Sequence, residues 1–297
     1  MKMTLDELRK ALENVGYICD DEASLTVFLA LTLNKPILIE GPPGVGKTEM
    51  GKVLAEVFNT ELIRLQCYEG LDENKALYEW NYQKQLLKIQ MGRMGDSDAH
   101  REEDLFSSEY LLERPLLKAI QSEEKVVLLI DEVDKSDDEF EAFLFEVLSD
   151  FQVSIPELGT VKARQIPIVV LTSNSERELS DGLKRRCVFL YLDFPGVERE
   201  IEIIKAKIPE AGDRLTTEIS RAVNLIRQNP EIRKKPSIAE TLDWARALVS
   251  LNRDRLQSST IEHTLNLLLK SRADQRVFRE QIGAENLEKK SRSGTAG

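Results

Sequence analysis

At 297 residues the chain exceeds one average domain, which predicts a large core domain with a smaller companion. Its 31% charged and 41% apolar residues exclude fibrous and disordered classes, and a net charge of −11 with scattered Lys and Arg argues against general nucleic-acid affinity, leaving only basic loops focused by a ring. Cys19, Cys67 and Cys187, without a CxxC and with only two histidines, make neither a disulfide framework nor a zinc site, so a reducing cytoplasm is expected.

The opening Met1-Lys2-Met3-Thr4-Leu5-Asp6-Glu7 mixes charges where a secretory leader needs an apolar run, and no later stretch has the length of a membrane span. Leu5, Leu8 and Leu12 recur at helical spacing, and Leu25 to Leu33 is a second apolar stretch, so two helices open the chain. Pro36 to Glu40 is a short apolar run ending in a glycine-rich turn, and Glu49 to Phe58 reads as a helix. Further strands are predicted over Glu61 to Gln66, Val126 to Ile130, Ile168 to Thr172 and Val188 to Leu192. Helical patterns separate them, notably Asp138 to Asp150 with Phe140, Phe143, Leu144, Val147 and Leu148 on one face, and Phe151 continues that face. The fold class is therefore α/β, with a mostly parallel five-stranded sheet between helices.

Two interruptions stand out. Residues 68–120 form a polar, turn-rich insertion centred on Gly92 to Ser97, and 152–165 read as a hairpin around Pro156-Glu157-Leu158-Gly159. Beyond Pro195-Gly196 strand patterns cease. The predicted domains are 1–195 (α/β), 196–282 (small, all-helical) and 283–297, a flexible tail with almost no large apolar side chain after Leu287.

Gly41-Pro42-Pro43-Gly44-Val45-Gly46-Lys47-Thr48 matches G-x-x-x-x-G-K-[ST] without a gap, between a predicted strand and a predicted helix, the context a phosphate-binding P-loop requires. In that reading the backbone from Gly41 to Glu49 cradles the phosphates of ATP, Lys47 neutralises the β and γ groups, and the Thr48 hydroxyl ligates Mg²⁺. A Gly- and Pro-rich turn is the plain alternative. Asp131-Glu132 follows a buried strand, where Asp131 would reach the same Mg²⁺ and Glu132 would polarise the attacking water. Alone, such a pair only marks where a chain returns to solvent.

The Pro42-Pro43 loop, the run Asp131-Glu132-Val133-Asp134-Lys135 and Leu171-Thr172-Ser173-Asn174 together resemble AAA+ ATPases of the MoxR family, from about Leu25 to Leu251. The resemblance implies a P-loop AAA+ core with a helical lid, and makes Asn174 the sensor 1 residue that orients water and γ-phosphate; an Asn after a strand also forms turns. It implies that Arg177 to Cys187 ends in an arginine finger serving the neighbouring subunit, with Arg186 the first choice and Arg185 the second, although cations also suit a helix C-terminus. The hairpin and the 68–120 insertion take the places of the pre-sensor hairpin and helix 2 insertion, which face the pore and clients; plain surface loops are the alternative. One departure concerns sensor 2: in Pro236-Ser237-Ile238-Ala239 the arginine position holds Ala239, so Arg233, Lys234 or Lys235 substitutes or lid coupling is weak. His100 and His263 read as surface histidines, and Trp80, Tyr82 and Trp244 as packing residues.

The function so implied is an ATP-hydrolysing remodelling factor or chaperone, a homo-hexameric ring acting on an unidentified client. A von Willebrand factor A domain protein is the implied partner, in metalloenzyme maturation or complex assembly; Gln66 to Asp72 and Glu240 to Arg246 look like the branch paired with it. Two other classes remain open. A nucleic-acid translocase is opposed by the acidic balance, and a nucleotide-gated switch with slow hydrolysis by the full set of Lys47, Asp131, Glu132 and Asn174.

Overall fold

Short apolar runs become strands where both faces are covered, and the computed structural model, which describes residues 3–94, 105–156 and 158–293, bears out that pattern. Helices α1 (Leu5–Asn14) and α2 (Asp21–Leu33) precede β1 (Ile37–Glu40), and α3 (Lys47–Val57) leads to β2 (Leu62–Gln66). The insertion holds α4 (Glu73–Ala76), β3 (Tyr78–Trp80), α5 (Tyr82–Met94), β4 (Leu111–Glu113) and α6 (Pro115–Gln121). Then follow β5 (Val127–Asp131), α7 (Asp138–Asp150), β6 (Gln152–Ile155), β7 (Gly159–Lys162), β8 (Ile168–Ser173), α8 (Asp181–Arg186) and β9 (Val188–Tyr191). The rest is helical: α9 (Val197–Lys207), α10 (Asp213–Gln228), α11 (Ile238–Ser250), α12 (Ser258–Leu268), α13 (Arg272–Val277) and α14 (Ala284–Ser293).

The main sheet has five strands in the order β2-β5-β8-β1-β9, and every neighbouring pair is parallel. Among the described residues, antiparallel pairing is confined to β3 with β4 and β6 with β7. β5 and β8 are buried along their whole length, as their unbroken apolar runs require. Register aligns Gln66 with Asp131, Ile130 with Leu171, and Glu40 with both Ser173 and Tyr191, so the carboxyl ends of the strands finish at nearly one level. In open α/β sheets ligands bind at that end.

The chain forms two compact units that interleave along the sequence, whereas the sequence suggested contiguous domains. One contains Asp21–Glu40 and Thr48–Tyr191 with the start of the chain; the other contains Arg9–Asp20, Gly41–Lys47 and the chain from Leu192. The first unit packs Leu65, Leu128, Ile130, Leu144, Leu171 and Leu183 about its sheet. Gly51 on α3 is needed for this packing, since a Cβ there would come within 3.1 Å of Leu129. The second unit surrounds Trp244, whose indole N–H donates to Thr264 Oγ1 at 2.8 Å. Within it Arg227 makes two hydrogen bonds to buried Glu200, at 2.9 and 2.8 Å, and donates to the Pro236 carbonyl at 2.7 Å.

Three expectations need amendment. The tail expected from 283 onward is instead helical over Ala284–Ser293, because Ala284, Leu287 and Ser291 supply a narrow buried stripe at helical spacing and one leucine suffices to anchor it. Tyr82 is 61% exposed and not a packing residue, although Trp80 and Trp244 are buried. His263 is exposed as expected, while His100, part of the Gly92 to Ser97 centre, Glu157 and 294–297 lie outside the described residues.

Candidate functional site

The loop Gly41–Lys47 carries Gly41 and Gly44 where a side chain would not fit. Gly44 has φ +75°, and an added Cβ would sit 2.3 Å from Ser237 Oγ; at Gly41 it would sit 2.0 Å from the Leu192 carbonyl oxygen. Ser237 is the N-cap of α11 and forms a capping box with Glu240. At the second residue of that helix, the Ala239 N–H donates to the Gly44 carbonyl at 3.3 Å. Ala239 thus meets the loop through its backbone. Of the suggested substitutes, Arg233 and Lys234 have their main-chain N–H groups held by Asp274. The Lys47 ammonium is buried and donates to the carbonyls of Gly41 and Pro42 at 2.6 and 2.7 Å.

In the sheet unit, Thr48 donates its hydroxyl to Asp131 Oδ1 at 2.9 Å. The Thr172 hydroxyl, from the end of β8, donates to the same oxygen and accepts the Glu132 N–H at 2.9 Å. Arg64 on β2 pairs with Asp131 Oδ2. A hydroxyl and a carboxylate oxygen side by side are hard-oxygen donors of the kind Mg²⁺ takes, so Thr48 and Asp131 fit that cation.

Glu132 adopts the left-handed region at φ 57°, ψ 50°, a conformation that costs a non-glycine residue about 1–3 kcal/mol and recurs at functional sites. Its Oε2 accepts from Gln66 Nε2 at 3.0 Å and Lys135 Nζ at 2.6 Å. The hydrogen bond to Glu132 raises the Lys135 pKa. Burial pushes the Cys67 thiol up to about 12, and neighbouring Asp131, Asp134 and Glu132 add to the effect.

Asn174 follows β8, and its N–H donates to Asp134 Oδ2 at 3.0 Å, as does the N–H of Glu176. Arg177 pairs with buried Glu141 and donates to the Ser136 carbonyl at 2.7 Å, joining this loop to α7. At the end of α8, Arg186 is committed within its own unit: Nε donates to Ser149 Oγ at 3.0 Å and the guanidinium lies 4.2 Å over Phe145. Arg185 is exposed and makes no hydrogen bond or ion pair with the described residues. The structure thus brings Thr48, Asp131 and Glu132 together, and adds Arg64, Gln66, Lys135 and Thr172, which sequence reasoning did not assign. The alternation on β2, with Ile63 and Leu65 buried and Arg64 and Gln66 exposed, was the available signal.

Comparison with known proteins places these residues in a family. An uncharacterized protein of Staphylococcus haemolyticus is 26% identical over 247 residues, covering 80% of this chain and 84% of that protein. The gas vesicle ATPase GvpN1 of Halobacterium salinarum is 22% identical over 266 residues, covering 85% and 74%. Among solved structures, the RuvB Holliday junction branch migration motor of Thermotoga maritima aligns over 91% of this chain and 72% of its own, at 20% identity and a TM-score of 0.49. The pattern of the AAA domain (dynein-related subfamily) matches residues 36–187, just over half of the chain, and takes in the glycine loop, Asp131-Glu132 and Asn174. The chain belongs to the AAA domain family, dynein-related subfamily.

Proposed function

We propose that this chain binds ATP with Mg²⁺ and hydrolyses it as a subunit of an AAA+ ring that remodels a client protein. The observation that carries this reading is the convergence of the Thr48 and Thr172 hydroxyls on Asp131 Oδ1, with Glu132 next in the chain. Family membership supports nucleotide binding, and AAA+ proteins commonly form oligomeric rings.

In the proposed mechanism, backbone N–H groups from Gly41 to Glu49 bind the phosphates, and Lys47 exchanges two loop carbonyls for phosphate oxygens. Thr48 and Asp131 hold the Mg²⁺, which when bound offsets the charge developing on the transferred phosphoryl group. Glu132 takes a proton from the attacking water after leaving Gln66 and Lys135, and Asn174 orients that water. An arginine from a neighbouring copy completes the charge balance, and Arg185, having no partner among the described residues, is better suited than Arg186.

The finer assignment is a MoxR-type chaperone: a homo-hexamer in the cytoplasm, working with a von Willebrand factor A domain protein in metalloenzyme maturation or complex assembly. Its support is Pro42-Pro43, Asp131 to Lys135 and Leu171 to Asn174. No helix among the described residues is long and apolar enough to cross a membrane.

Calorimetry with Mg-ATP and steady-state phosphate release test the chemistry. Wild type binds, Lys47→Ala loses at least tenfold in affinity, and Glu132→Gln binds normally but turns over at least a hundredfold more slowly, a loss of about 2.7 kcal/mol or more in transition-state stabilisation. Absence of Mg-ATP affinity in wild type would remove the reading. Mass photometry with ATP reports ring size, and affinity capture with Glu132→Gln reports whether a von Willebrand factor A domain protein is retained.

A further inference from the structure

Arg64 occupies an unusual place. It lies on β2 in register with Leu129 of β5, two residues before Gln66, which stands opposite Asp131. Because β2 alternates, Arg64 and Gln66 share one face. The Arg64 Nη2 reaches Asp131 Oδ2 and also donates to Gln66 Oε1 at 2.6 Å. The other Asp131 oxygen already accepts two hydroxyls. Asp131 is almost wholly buried, with 3% of its side chain exposed, whereas half of the Arg64 side chain is in solvent.

We propose that Arg64 is a built-in competitor for the cation at Asp131, a positioning residue that sets how much divalent metal the site requires. Asp131 is almost wholly buried, and the cation paired with it in this structure is the Arg64 guanidinium. A divalent cation addressing the same carboxylate meets a like charge already in place, so Arg64 must swing outward. Its exposed stem permits this at the cost of one half-solvated ion pair. Such pairs contribute about 0.2–1 kcal/mol, which lowers apparent metal affinity by a factor of roughly 1.4 to 5.

The same movement reaches the neighbouring glutamate. Gln66 gives its amide oxygen to Arg64 and its amide N–H groups to Glu132 and, at 3.5 Å, to the Cys67 carbonyl, so departure of Arg64 removes the one contact to the Gln66 amide oxygen and loosens the side chain that holds Glu132. Arg64 thereby links the cation that occupies Asp131 to the grip on Glu132 without touching nucleotide itself.

This rests on the nucleotide reading above, and the test separates the two. A fluorescent β,γ-imido ATP analogue is held at fixed concentration with the full chain and titrated with Mg²⁺, for wild type, Arg64→Gln and Arg64→Lys, with a parallel titration of the analogue in EDTA. The expected result is a roughly 1.4- to fivefold lower half-saturating Mg²⁺ for Arg64→Gln, EDTA affinity within about twofold of wild type, and a near wild-type requirement for Arg64→Lys. A purely structural role moves the Mg²⁺ requirement the other way, so a raised or unchanged requirement overturns the proposal. Loss of affinity in EDTA overturns it too, by making Arg64 a phosphate contact. If wild type fails to bind the analogue at any Mg²⁺ concentration, the nucleotide reading itself falls.

Discussion

The Thr172 hydroxyl donates to Asp131 Oδ1 while accepting the Glu132 N–H at 2.9 Å, so one β8 side chain fixes both acidic residues at the end of β5. Thr172→Val keeps the shape and removes both contacts, leaving a buried carboxylate oxygen and an N–H without that partner. Urea denaturation should show a loss of about 1–3 kcal/mol, and phosphate release should fall at least tenfold. Thr172→Ser, which keeps the hydroxyl, should retain most of both; an unchanged Val variant would remove Thr172 from the site.

Gly44 offers a second test. Its φ of +75° and the 2.3 Å approach of Ser237 Oγ to an added Cβ leave no room for a side chain. Gly44→Ala should reduce nucleotide affinity more than tenfold by fluorescence titration. Adding Ser237→Gly should recover only part of that loss, because it relieves the clash and not the backbone strain.

The Arg227–Glu200 pair holds the helical unit. Burial raises the Glu200 pKa and Arg227 opposes the shift, so removing the guanidinium strands a buried carboxyl group. Arg227→Ala should destabilise by about 3–5 kcal/mol in urea. Arg227→Lys should recover little, since an ammonium cannot reproduce the paired geometry. A loss under about 1 kcal/mol for the Ala variant would show that the pair adds nothing to stability.

The cysteines predict an alkaline limit. Burial pushes Cys67 and Cys187 up from 9.0 to about 12, and burial also raises Cys19. Since the native state favours the protonated thiols, their contribution is complete below pH 9.0 and is lost as pH rises from there towards about 12. Stability should decline across that window, and at pH 8 a disulfide-exchange reagent should modify native thiols at least tenfold more slowly than unfolded ones, by about 1.4 kcal/mol or more of protection. Rapid reaction of all three native thiols would contradict this.

The finger assignment separates by substitution. Arg185→Ala should abolish turnover and leave ATP affinity intact, and mixing it with Lys47→Ala should restore activity if the arginine acts across an interface. Arg186→Ala removes the Ser149 and Phe145 contacts and should lower the melting temperature more than the rate.

The central strands were legible because Val127–Asp131 and Ile168–Ser173 are short apolar runs buried on both faces. The glycine loop and the acidic pair were legible because local spacing alone defines them. Arg64, Gln66 and Thr172 were not, because their meaning lies in register between strands: Gln66 faces Asp131 from a distant part of the chain, and no local pattern announces that partner. Arg186 shows the converse. Its place in the segment recommended it, but only the fold discloses that Phe145 and Ser149 already engage it.

Helix α14 also changes how the end of this chain should be handled. Leu287 is wholly enclosed, Glu288 accepts the Ser258 N–H at 2.6 Å, and Arg292 donates to the Leu256 carbonyl at 3.0 Å. Cutting the protein at residue 283 would therefore open the helical core to water and leave the start of α12 without its acceptor, at a cost of at least the ~2–5 kcal/mol that accompanies loss of one enclosed leucine. Any shortening of the chain at this end therefore has to keep Ala284–Ser293.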